Sequence, residues 1–209
     1  ALVSLINSDQ VAPKARQAAT IALNRIGIDK KATLSTLQTI VAMQFYSRET
    51  SVIPEAVAGR NIFWMWDPID QLIAQDVPEE VYDDVMAMYF ASEALATDSE
   101  NAGAMSVFVA ANLRRDRELG GKNDLVYGDL PYSPAFYATV FGPEVAQHVL
   151  AKALQDLDTP LALDAISALS RTAGARSLLS GNDKPLIAAL YYPDRRVQYE
   201  AAMALASTL

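Results

Sequence analysis

The chain has 209 residues, with 17 Lys and Arg against 25 Asp and Glu, a formal charge of −8. That acidity argues against nucleic acid as the main partner, because phosphate contacts need clustered cations, and the 51% apolar share is too high for a disordered chain. No cysteine and one histidine, His148, exclude disulfides, iron–sulfur clusters, thiol nucleophiles and multi-histidine metal sites.

Ala and Leu dominate, strictly alternating runs are scarce, and Pro and Gly cut the chain into helix-sized pieces. The predicted class is all-α. No apolar run approaches the roughly 18 residues of a membrane span, so no membrane insertion is expected. The opening at Ala1 lacks an initiator Met, and Leu209 falls inside an amphipathic pattern without a stop. Both ends read as cut, as in an excised or processed piece of a larger bacterial protein. The compartment stays undetermined.

In chain order, Leu2, Leu5 and Asp9 followed by Ala18-Ala19-Thr20-Ile21-Ala22-Leu23 predict a helix pair. The segment 31–75 is helical in pattern, with Leu34, Leu37, Ile40, Val41 and Phe45 at helical spacing. Within it, Phe63-Trp64-Met65-Trp66 holds both tryptophans. Packing between helices is the plainer reading of that run. The sharper one makes Trp64 and Trp66 anchors for a peptide or apolar ligand.

Residues 78–119 predict two helices, Pro78 to about Ala96 and Ala102 to Leu119, around the turn Asp98-Ser99-Glu100-Asn101. Glu79, Glu80, Asp83 and Asp84 fall in the first turns, where the helix dipole favours negative charge. As a bare cluster they could also serve a hydrolase or hold a divalent cation, but no oxygen-rich loop with calcium spacing accompanies them. Arg114 and Arg115 sit near the end of the second helix. There they complement the dipole, or fork onto carboxylates or phosphates of a partner. Gly120-Gly121-Lys122 lacks the frame of a phosphate-binding loop. The irregular stretch 120–133 is the expected boundary between halves, and Tyr127 and Tyr132 are candidates to line a groove beside it.

The C-terminal part carries an internal repeat. With a shift of about 36 residues, Leu150, Ala153, Leu154, Asp158, Ala165, Ala168 and Leu169 meet Leu186, Ala189, Leu190, Asp194, Ala201, Ala204 and Leu205. Each unit predicts a helix, an Asp-bearing turn and a second helix that the Asp caps. Ala165-Ile166-Ser167-Ala168-Leu169 and Ala201-Ala202-Met203-Ala204-Leu205 make this unit resemble a HEAT-like repeat. A looser copy opens the chain, and Ala162 and Gln198 stand where many such repeats carry Arg. The stretch from Ala91 to Ala104, with its Ala94-Leu95 helix end and Asp98–Asn101 turn, resembles a tetratricopeptide junction, with Ser99 at the usual turn proline.

These resemblances imply an α-solenoid of stacked antiparallel helix pairs. The expected layout is a helical region at 1–119, a connecting loop at 120–133 and HEAT-like repeats at 134–209. The implied function is a non-catalytic scaffold binding a protein or peptide, with no cofactor and no metal. The candidate binding residues are Trp64, Trp66, Arg114, Arg115, Tyr127 and Tyr132. Two alternatives belong to other classes. One is a lyase or hydrolase using His148 and nearby carboxylates, with Glu144 one turn before it. The other is a structural spacer without a groove.

Overall fold

The computed structural model describes residues 2–7, 9–26, 32–69, 71–128, 130–172 and 184–207. Helices dominate them, as the Ala- and Leu-rich composition predicts. Helix α1 (Leu2–Asn7) packs on α2 (Pro13–Ile26), burying Val3, Ala19 and Leu23. Helix α3 (Leu34–Tyr46) is capped by Thr33, whose hydroxyl oxygen accepts from the Thr36 amide at 3.1 Å.

The all-α expectation needs one correction. Residues predicted as the end of a helical segment form an antiparallel hairpin, β1 (Arg60–Asp67) and β2 (Gln71–Pro78). Trp64 faces Ala74 and Trp66 faces Leu72 across it. Along β1 only every second residue is covered, so Asn61 and Phe63 are buried while Ile62, Trp64 and Trp66 are exposed. That two-residue period belongs to a strand, and the aromatic and β-branched side chains suit one. Pro68 further opposes a helix running through the turn. Phe63 meets Tyr89 edge-on at 5.4 Å, which docks the hairpin on the next helix.

Helices α4 (Glu79–Thr97) and α5 (Ala102–Leu119) fall close to their predicted limits. Their junction is held by polar groups. The Asn101 side-chain oxygen accepts from the Ala104 amide at 3.0 Å, capping α5. Its amide nitrogen donates to Ser35 Oγ at 2.7 Å and Thr39 Oγ1 at 3.0 Å, while the Ser35 hydroxyl donates to the Ala94 carbonyl at 3.0 Å. One asparagine therefore ties the start of α5 to α3 and, through Ser35, to the end of α4. Gly120, in the left-handed region at φ 55°, closes α5.

Beyond the 120–133 stretch come α6 (Pro134–Val140), α7 (Pro143–Asp156), α8 (Thr159–Thr172), α9 (Pro185–Ala189) and α10 (Arg195–Ala206). The two aligned copies, 148–170 and 184–206, are both helix–turn–helix. The expected caps are present. Asp158 Oδ1 accepts from the Leu161 amide at 3.0 Å, and Asp194 Oδ1 from the Arg196 amide at 2.8 Å. An arginine also reaches the first of these turns: Arg117, from the end of α5, lies 3.4 Å from Asp158 and 3.7 Å from Asp164.

Helices α3, α5, α7 and α9 are successive neighbours, and α4, α8 and α10 pack on or beside them. Small residues make the close approach possible: Ala87, Ala91, Ala110, Ala111, Ala153, Ala162 and Ala189 are all buried. One apolar cluster runs from Ala42 to Ala204, so the core continues across the 120–133 stretch.

Candidate functional site

The row formed by α3, α5 and α7 encloses a hollow of about 430 Å³. Met43 and Tyr46 from α3, Val107 and Ala110 from α5, and Val149 from α7 give it an apolar lining. Ser47, Ser106, His148, Lys152 and Gln155 supply its polar groups. His148, Lys152 and Gln155 recur at i, i+4 and i+7 on α7, so they form one stripe. On the other side of that stripe a second hollow, about 480 Å³, lies against Pro185 and Ala188 of α9. The two hollows thus share a rim, and Ile40 and Met43 remain exposed one turn apart on α3.

Beneath this face lies a buried ionic network. Arg114 donates to both Asp84 oxygens, with Nε–O distances of 2.9 and 3.0 Å, and to the Tyr46 carbonyl oxygen at 2.7 Å. Its guanidinium carbon sits 4.1 Å from the Tyr46 ring centroid. Lys152 Nζ lies 5.9 Å from the same ring. Asp84 is fully covered, and burial pushes its carboxyl up to about 6 despite the opposing pull of Arg114. Burial likewise drives the Tyr46 hydroxyl well above the usual phenol range. Nearby, Arg48 bridges Asp83 at 3.2 Å and Glu118 at 3.0 Å. In the acidic first turns of α4, Asp83 and Asp84 are therefore committed to arginines of other elements, and Glu80 pairs with Lys122 at 3.0 Å. Among the described residues no group of three or more His, Cys, Asp or Glu is placed to hold a metal ion.

The structure distributes the sequence-selected residues over three settings. Trp64 and Trp66, 55% and 71% exposed, project from the outer face of the hairpin, so the reading of this run as packing between helices is corrected. Their inward neighbours, Asn61 and Phe63, do the packing. Arg114 and Arg115 point into the chain. Arg115 pairs with Asp124, donates to Asn112 Oδ1 at 2.8 Å and lies 5.2 Å from the Tyr127 ring centroid. Tyr127 is itself half-buried, with its hydroxyl 3.4 Å from the Val85 carbonyl oxygen. Arg115 and Tyr127 fasten the 120–133 stretch to the α4–α5 pair, Arg114 joins α3, α4 and α5, and all three side chains are taken up by partners within the chain. Tyr132 is exposed and stacks on Phe136 at 4.2 Å.

None of the six lines the α3–α5–α7 hollow, whereas His148, put forward for catalysis, stands on its rim. The lining residues come from three stretches, 43–47, 103–110 and 148–155, separated by roughly 40 positions or more along the chain. They are ordinary helical side chains, apolar, small or polar, with Ser47 at a helix end, so no local motif marks them. No known family model, no curated protein and no solved structure matches this chain.

Proposed function

We propose that the chain is a non-catalytic helical-repeat scaffold, HEAT-like at its ends and tetratricopeptide-like in its middle, that binds a protein or peptide. In this reading the helix pairs stack as a solenoid, each covering an apolar face its neighbour cannot cover alone. The row α3, α5, α7 and α9 is its binding face. One observation carries the reading: two hollows with apolar linings flank a single polar stripe, His148, Lys152 and Gln155. A spacer has no use for Ile40 and Met43 left open beside such a groove.

The test is a displayed peptide library selected against the whole chain, with affinities measured by fluorescence anisotropy. Met43→Glu and Ser106→Trp obstruct the groove at side chains that open to it. Tyr199→Ala changes an exposed residue on α10. Selected peptides should lose roughly tenfold or more in affinity to the first two and nothing to the third, since one fully opposed contact is worth about that factor. A library that yields no binder, or binders indifferent to both groove variants, would overturn the proposal.

A further inference from the structure

Resting on that reading, we infer that the occupant of the groove is an amphipathic α-helix carrying carboxylates beside its apolar face. Charge points to the sign. The chain has a net charge of −8, yet neither hollow has an Asp or Glu among its described lining residues. What both hollows share instead is Lys152, His148 and the Gln155 amide. The described linings thus include the Lys152 ammonium and no carboxylate, and Asp156, the partner of Lys152 one turn on, stands outside both. Lys152 bonds Asp156 at 2.8 Å, an exposed i, i+4 pair of the weak, salt-screened kind that an incoming carboxylate can replace.

Backbone chemistry points to the conformation. The walls are helices whose N–H and C=O groups are bonded within the helix, and Met43, Val107, Ala110 and Val149 present only carbon and sulfur. An extended peptide would bury its own N–H and C=O groups with few partners. A helix arrives with those bonds made, and needs only a stripe of apolar side chains for the hollow and acids for the rim. Met43 adds an adaptable side chain suited to such a stripe.

The probe is a pair of synthetic helical peptides of roughly 15 residues. Both have Leu and Met on one face, with flanking Glu in one and flanking Lys in the other. A third peptide is the Glu version with a central Pro. Binding is titrated by anisotropy against the whole chain, Lys152→Glu and Lys152→Gln, with circular dichroism verifying that each variant is folded. The Glu peptide should bind the native chain about tenfold tighter than the Lys peptide, and added salt should weaken it. Lys152→Gln should narrow the gap and Lys152→Glu should abolish or invert it. Equal binding, or a preference for the Lys peptide, sinks the charge inference and leaves the scaffold reading standing. Undiminished binding of the Pro peptide sinks the helical form alone. If neither helical peptide binds while library peptides do, the inference fails by itself; if no peptide of any kind binds, the scaffold reading falls with it.

Discussion

Arg114 grips Asp84 from a neighbouring helix while donating at 2.7 Å to the carbonyl oxygen of Tyr46, so one guanidinium joins α3, α4 and α5. Both partners of the pair are largely cut off from water. Arg114→Ala therefore leaves a buried carboxylate without its counter-charge and should lower stability by about 3–5 kcal/mol in urea denaturation. The double variant Asp84→Leu, Arg114→Met should recover most of that loss, because it removes both desolvated charges together. If the single change costs less than about 1 kcal/mol, the pair is not sealed from solvent in the way described.

The same carboxyl sets a pH dependence. Its folded-state value, about 6, lies above the ordinary 3.8, so the folded chain holds this proton more tightly than the unfolded chain. The stabilisation is fully present below about pH 4 and is lost as pH rises through about 6. Asp84→Asn removes this titration. Relative to that variant, the native chain should lose about 2 kcal/mol between pH 4 and pH 6.5. A flat or rising difference across this window would refute the assignment.

Neighbouring residues on β1 should respond unequally to truncation. Phe63 is 5% exposed and packs on Tyr89. Phe63→Ala should cost about 3–5 kcal/mol. Trp64→Ala, one position on and facing outward, should cost less than about 1 kcal/mol despite deleting a larger ring. Comparable losses at the two sites would mean that the outer hairpin face is covered.

Gly128 offers a local test of the 120–133 stretch. A Cβ added there would stand 2.3 Å from the Asp124 carbonyl oxygen, which is backbone and cannot swing aside. Gly128→Ala should destabilise the chain by about 1–3 kcal/mol and loosen the Arg115–Asp124 contact. Hydrogen exchange of the Val126 and Tyr127 amides, both bonded to Asp124 Oδ1, should speed up in the variant. Unchanged exchange at those two amides would count against this account.

Much of the helical plan was legible because its signals are local. Pro78, the Asp98–Asn101 turn and Gly120 delimit α4 and α5 almost to the residue. Asp158 and Asp194 were readable as caps because a carboxylate at the start of a helix has free N–H groups to accept from. The hairpin escaped because Ile62-Phe63-Trp64-Met65-Trp66 is apolar on both faces, which conceals the two-residue period that burial makes plain. Pro68, standing between two apolar runs, was the signal that could have revealed it. The groove left no such trace, since Met43, Val107 and Val149 meet only after three helices have packed. Arg114 and Arg115 misled for a related reason: a cation near a helix end reads as solvent-facing until the acid opposite it, Asp84 or Asp124, is located.

The placement of both tryptophans on one outward strand face fixes what the chain's intrinsic emission can report. An indole signal will follow the surroundings of Trp64 and Trp66, while the helical interior, whose buried aromatics include Tyr46 and Tyr82, contributes nothing to it directly. A melt followed at that wavelength would therefore register detachment of the β-ribbon, and helix dichroism is needed beside it to detect collapse of the stacked pairs.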